Sequence, residues 1–216
     1  MLMAVLAIFM FVACGGGEKS ETSADSTLKE IEAEFLGLKS YIMKAVFTME
    51  EDGTKVVQNM TIWHDVARGK TATEMDMTMT APGFSQTSKM LNIEDGETTY
   101  VINLKDNTGF KMNFRDDDDD LFDYEIEEDE ATLRQMIEAD GGRIIGTETF
   151  LGRKCLVVET VEDDYDYGTI TTKMWLYKGM PLKVVSDHMR MEVTHLEENV
   201  SIPAERFKVP AGITMR

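Results

Sequence analysis

The 216-residue chain carries 40 acidic against 22 basic residues, a formal net charge of −18, and is 43% hydrophobic. That charge excludes nucleic acid as a partner, because phosphate binding draws on Lys and Arg, and it excludes docking on anionic lipid through a basic patch. The length suits one domain with a packed core. Two cysteines, Cys14 and Cys155, exclude a disulfide-built scaffold.

The chain begins with an uncharged apolar run, Met1 to Met10, followed by Phe11-Val12-Ala13-Cys14-Gly15-Gly16-Gly17 and an abrupt change to polar sequence at Glu18. About a dozen apolar residues are too few to span a bilayer, which needs roughly 20. An apolar stretch ending in small residues reads instead as a secretory signal. Phe11-Val12-Ala13-Cys14 resembles the bacterial lipobox, in which cleavage precedes the cysteine and the cysteine carries the lipid. The expected organisation is a lipoprotein signal peptide at 1–13, an acylated Cys14 with a flexible tether at 14–26, and one domain at 27–216. The alternative is an ordinary secretory signal or N-terminal anchor with an incidental cysteine. Residues 1–14 hold no charged side chain, so the whole negative charge belongs to the part after the signal. The membrane is then a partner only through the acyl chains, each buried methylene contributing about 0.8 kcal/mol.

Gly15 to Ser26 has too little apolar surface to fold. Thr27-Leu28-Lys29-Glu30 has capping-box spacing, and Leu28, Ile31, Phe35 and Leu38 recur on one helical face, so a helix is expected over Thr27–Lys39. From Ser40 the period becomes two. Tyr41, Met43, Ala45, Phe47 and Met49 alternate, Asp52-Gly53 signals a hairpin, and Lys55 to Asp65 is the return strand. Thr71 to Thr80 alternates most cleanly, with Met75, Met77 and Met79 opposed to Glu74, Asp76, Thr78 and Thr80. Ser85 to Glu94, Glu97 to Asn103 and Phe110 to Phe114 continue the strands around Asp95-Gly96 and Asp106-Asn107-Thr108-Gly109. Asp116 to Glu130 places eleven acids in fifteen residues and reads as a solvated loop. Leu133, Met136 and Ile137 mark a second helix, Ala131–Ala139, stopped by Asp140-Gly141-Gly142. Strands resume at Arg143–Phe150, Arg153–Val161, Thr169–Tyr177, Pro181–Ser186 and Met189–Glu197, with an extended tail Ile202–Pro210 laid across the sheet edge.

These elements predict a mainly β protein. It is an incomplete antiparallel β-barrel of about ten or eleven strands, one face apolar and the other polar, with two covering helices. A sheet this large must curl. The order of elements over 27–216 resembles the outer-membrane lipoprotein carrier and receptor superfamily (LolA/LolB-like). The residues that carry the resemblance are Gly146-Thr147-Glu148-Thr149-Phe150-Leu151-Gly152-Arg153-Lys154-Cys155, then Met174 through Lys183, and the ending Ile202-Pro203 through Phe207, Val209, Pro210 and Gly212. Cys14 sides with its lipid-anchored members of unknown function. The resemblance implies a half-barrel around a hydrophobic cavity, a lipid or acylated protein as ligand, and a cell-envelope location, at the outer membrane facing the periplasm.

Of 17 methionines, 14 follow Cys14. Methionine is flexible and polarisable, and it suits apolar surfaces that adapt to varied partners. Met43, Phe47, Met49, Met60, Met75, Met77, Met79, Met189 and Met191 are the candidate cavity lining. Plain core packing is the competing reading, which leaves a structural or sensor lipoprotein. Two metal readings are weaker. Met75-x-Met77-x-Met79 offers thioethers for Cu(I), but neighbours along one strand face sit about 7 Å apart. The acidic run offers carboxylates for Ca²⁺ without EF-hand spacing. His64, His188 and His195 form no metalloprotease motif, and no nucleophile elbow occurs. No cofactor and no catalysis are expected. Cys155, in Lys154-Cys155-Leu156-Val157-Val158, reads as a buried hydrophobe.

Overall fold

The computed structural model describes residues 38–96, 98–113, 137–138, 141–164 and 168–216. The period-two stretches become β1 (Ser40–Glu51), β2 (Thr54–Asp65), β3 (Lys70–Ala81), β4 (Phe84–Asp95), β5 (Thr98–Asn103), β6 (Thr108–Asn113), β7 (Arg143–Phe150), β8 (Arg153–Asp164), β9 (Gly168–Tyr177), β10 (Met180–Val185), β11 (Met189–Glu198) and β12 (Thr214–Met215). They form one sheet in the order β12-β6-β5-β4-β3-β2-β1-β11-β10-β9-β8-β7. Among the described residues its edges, β7 and β12, do not pair, so the barrel is incomplete, as the sequence predicts. The pairings are antiparallel except that of β12, which runs parallel to β6. This twelfth strand exceeds the ten or eleven expected, because two residues are too few to show a period.

Local chemistry sets the register. Asp52 and Gly53 both take positive φ, 47° and 75°, between Glu51 and Thr54. This is the turn whose twist matches the strands it joins, and Asp-Gly tolerates it. β1 then pairs along its whole length with β2 on one side and from Tyr41 to Met49 with β11 on the other. The β1–β11 pairing joins the meander β1–β6 to the meander β7–β11. A bulge at Lys44/Ala45 lets Ala45 face Val193 and Met43 face Leu196, and bulges raise local twist.

The far end of the sheet is bent back. Arg153 on β8 donates from Nε to Glu198 Oε1 at 2.9 Å and from Nη2 to the Leu196 carbonyl at 2.9 Å, although β8 and β11 are three strands apart in the order. Three strand spacings in a flat sheet would separate them by roughly 14 Å. Lys178 and Tyr177 also reach Glu198, at 3.1 and 3.3 Å. Burial pushes the Glu198 carboxyl up, but the bonds and charges of Arg153 and Lys178 outweigh it and hold the group below the usual carboxylate range.

Both faces of the sheet carry apolar clusters, which corrects the expectation of one apolar and one polar face. On the first face Tyr41, Met43, Ala45, Phe47, Met60, Met191, Val193 and Leu196 are buried together with Leu38. This cluster continues to Cys155, Val157, Trp175, Met180, Leu182 and Val184. On the second face Ala72, Ile93 and Ile102 are buried under Ile202 and Phe207 from the C-terminal segment. That segment is not an extended edge strand over Ile202–Pro210. It makes a 3-10 turn at Ala204–Phe207, crosses the second face, and only then reaches the β6 edge. Pro203 starts the turn, and a short compact turn lets Ile202 and Phe207 both point at the sheet. Arg206 stacks over Trp63 at 4.6 Å beside them.

The two expected covering helices fall mostly outside the described residues. Of Thr27–Lys39 only Leu38 and Lys39 are described, and Leu38 is wholly buried. Of Ala131–Ala139 only Ile137 and Glu138 are described, and both are helical. Gly141 N–H donates to the Glu138 carbonyl and Gly142 N–H to that of Ile137, at 3.1 and 2.8 Å, so the double glycine ends a helix here as its sequence signals. Any Cβ on Gly142 would lie 2.8 Å from Ile137. The signal peptide, the tether and the acidic run Asp116 to Glu130 also lie outside the described residues.

Phe207, 5% exposed, tests the tail. Phe207→Ala should cost about 3–5 kcal/mol in urea-induced unfolding. A loss below about 1 kcal/mol would show that the segment contributes little to the second core.

Candidate functional site

Side chains alternate across a strand, so the pairing register sorts the first face into rows. Met43, Ile62, Thr73, Asn92 and Val101 stand side by side on β1 to β5. The next row is Ala45, Met60, Met75, Met90 and Asn103. Beyond it come Phe47, Gln58, Met77 and Ser88, then Met49, Val56, Met79 and Gln86. On the β11 side, Met191 faces Phe47 and Met189 faces Met49. All nine candidate lining residues therefore lie on one face of four adjacent strands.

Burial grades across this patch. Met43, Phe47, Met60 and Met191 are buried, whereas Met49, Met75 and Met189 are partly buried and packed against them. Met77 and Met79 are half-buried. Met75 stands directly between Met60 and Met90, so three methionines from adjacent strands form one row. Sequence alternation does not point to Met90, because on β4 the apolar residues Leu91 and Ile93 belong to the second face. Among the described residues, no group of three or more His, Cys, Asp or Glu side chains is placed to hold a metal ion.

The row beyond Met43 is polar. Tyr41, His64, Thr71, Glu94 and Thr99 stand abreast on β1 to β5. His64 stacks on Tyr41, ring centroids 5.1 Å apart, and its Nδ1 lies 2.9 Å from Thr71 Oγ1. Burial lowers the His64 pKa to about 4, against a smaller upward pull from Asp65, so the ring is neutral at pH 7. Burial raises the Glu94 pKa to about 7. Its Oε2 is buried and has no hydrogen-bond partner among the described residues, and the same holds for Asn92 Oδ1 in the adjacent row. The sequence singles out neither residue, since both read as polar strand positions near a turn.

Cys155 is wholly buried, and burial raises its thiol pKa. His195 is exposed beside Glu197 at 2.6 Å. A cleft of about 170 Å³ lies on the second face between the tail and the sheet, lined by Trp63, Glu74, Leu91, Leu104, Glu205, Arg206, Lys208 and Pro210.

No family model matches the chain. It is 24% identical over 209 residues to an uncharacterized protein of Methanocaldococcus jannaschii, covering 94% of this chain and 56% of that one, so the chain spans about half the length of the curated relative it matches. Solved structures similar to it include an uncharacterized conserved protein of Thermus thermophilus, at 7% identity and TM-score 0.47, over 90% of this chain and 99% of that one. MucB in the Pseudomonas aeruginosa MucA/MucB complex aligns at 18% identity and TM-score 0.42, over 88% and 63%. The Mycobacterium tuberculosis lipoprotein LppX aligns at 13% and 0.37, over 83% and 100%.

The two buried titrating groups act on stability in opposite directions. The folded pKa of His64 lies below its unfolded value, so native stability falls as pH drops from about 6.5 to about 4. That of Glu94 lies above its unfolded value, so ionising it costs stability as pH rises from about 4.5 through about 7. Glu94→Gln removes that cost. The variant should unfold like the wild type at pH 4 and gain on the order of 2 kcal/mol at pH 8. An unchanged difference between the two pH values would show that Glu94 is solvated.

Proposed function

We propose that this chain is a lipid-anchored cell-envelope protein that holds a hydrophobic ligand, a lipid or a lipoprotein acyl chain, against the methionine-rich face of its open sheet. The observation that carries this reading is that nine apolar residues share one face, seven of them in or packed against one buried cluster and Met77 and Met79 half-buried beyond it. A packed core has no need of methionine at its open margin. A surface that closes on chains of varied shape gains from thioether side chains that repack at low cost. Burying an acyl chain of about 14 methylenes contributes on the order of 10 kcal/mol before ordering costs. The role is non-catalytic: binding and presentation need only the apolar face.

Met77 is the test position, because its half-buried side chain can be replaced without opening the core. Met77→Asp should weaken binding of a fluorescent acyl probe with a neutral head at least about tenfold, with the melting temperature little changed. Mass spectrometry of organic extracts from protein purified without its acyl anchor should find co-purified lipid. Clean extracts together with no probe binding by the wild type would leave a self-filled structural or sensor lipoprotein.

The anchor rests on Phe11-Val12-Ala13-Cys14 following an apolar run. Cells fed labelled palmitate should incorporate label into the wild type and not into Cys14→Ala. Label retained by the variant would remove Cys14 as the site of acylation.

A further inference from the structure

We propose that the polar end of this face is a headgroup subsite for a cationic amphiphile, a long-chain amine whose ammonium group bridges the side chains of Asn92 and Glu94 while its chain lies over the methionine rows. The inference rests on the reading that this face takes a hydrophobic ligand, and it adds the chemistry of that ligand's head.

Asn92 Oδ1 and Glu94 Oε2 are buried and without a hydrogen-bond partner among the described residues. Leaving a buried acceptor unpaired costs about 1–3 kcal/mol, and native structures keep few such atoms without a reason. With Glu94 ionised, above its pKa of about 7, both atoms are acceptors, so the group that would complete the site is a donor. The two residues stand two apart on β4, one in the polar row and one in the adjacent row, and so point to the same side of the sheet. Their Cα atoms are about 7 Å apart, a span that two side chains can close around one ammonium carrying three donors.

The surroundings favour a cation. From the strands packed beside Glu94 the facing groups are His64 on β2, Thr71 on β3 and Thr99 on β5. His64 is held neutral by burial and is engaged with Thr71. The nearby lysines belong to the opposite face. Lys70 pairs with Asp95 at 2.8 Å, and Lys89 with Glu74 at 2.6 Å. Among the described residues none of these groups balances an ionised Glu94, and a bound ammonium would. A fatty-acid carboxylate in the same place would be repelled by an ionised Glu94 and would leave Asn92 Oδ1 and Glu94 Oε2 unpaired. The net charge of −18 also favours the approach of cations over anions.

Calorimetric titration of the folded protein with dodecylamine, laurate and dodecanol, each below its micelle concentration, separates head from chain. Dodecylamine should bind about tenfold or more tighter than laurate, the worth of one charge-assisted hydrogen bond. Glu94→Gln and Asn92→Leu, each checked by circular dichroism to be folded, should each erase most of that preference, whereas Glu74→Gln on the opposite face should leave it intact. Equal binding of amine and laurate would overturn the subsite while the apolar face stands. A preference for amine that survives both β4 variants would overturn it too, by assigning the effect to general surface charge. Failure of all three ligands to bind would remove the hydrophobic-ligand reading and this inference with it.

Discussion

The pairing of β1 with β11 is the contact on which the rest of the structure depends. Without it the chain is two meanders, each with two open edges and a partly covered face. With it, Met43, Ala45 and Phe47 meet Leu196, Val193 and Met191 across about 150 residues of chain, and twelve strands become one surface. Such a non-local ladder forms against a large loop-closure entropy. Its apolar pairs are the compensation, because each is buried on the first face. The bulge at Lys44/Ala45 sits inside this ladder. There it adds the twist that a sheet of this breadth needs if its ends are to turn inward, and the contact of Arg153 with Glu198 shows that the far end does turn.

Much of this is legible in the sequence because a period of two is a direct imprint of the pleat. Met75-x-Met77-x-Met79 against Glu74-x-Asp76 assigns β3 its faces before any partner is known, and Asp52-Gly53 fixes the β1–β2 register. Once registers are fixed, neighbouring strands inherit the same faces, which is why nine residues chosen by alternation fall on one side. The tail is not legible in this way. Ile202 and Phe207 are five apart, a spacing that suits neither strand nor helix, and only a 3-10 turn aims both at Ala72, Ile93 and Ile102. The second face is hidden for the same reason: Leu91 and Ile93 look like the inner residues of β4 until the segment that covers them is known. Asn92 and Glu94 then fall by default to solvent. They instead face the first side, where no described group pairs their inner oxygens.

The polar row and the methionine rows form one gradient along the strands. At one end, Tyr41, His64 and Thr71 satisfy one another by stacking and hydrogen bonding, which lets an imidazole be buried uncharged. Glu94 in that row and Asn92 in the next keep acceptors that no described residue pairs, and the rows after that are mainly apolar on β1 to β3, with Gln58 among them, and polar at Ser88 and Gln86 on β4. An amphiphile has this same order of groups. In a sheet used only for packing, the orphan acceptors would be replaced by apolar side chains at little cost, since removing both partners of a hydrogen bond is nearly neutral whereas leaving one behind is not.

The division of labour between the faces explains how the first can stay adaptable. Ile202 and Phe207 seal the second face from β3 to β5, so these strands gain burial that does not depend on what lies over Met75, Met77 and Met79. Stability drawn from one side frees the other from having to pack tightly. Were the tail absent, the same strands would rely on the first face alone, and half-buried methionines would be a poor foundation, because loosely specified contacts lose uniqueness before they lose burial. The buried centre around Phe47, Met60 and Met191 is the part of the first face that holds the sheet together. Met77 and Met79, one and two rows beyond Met60 and Met75, are half-buried and add less to that hold.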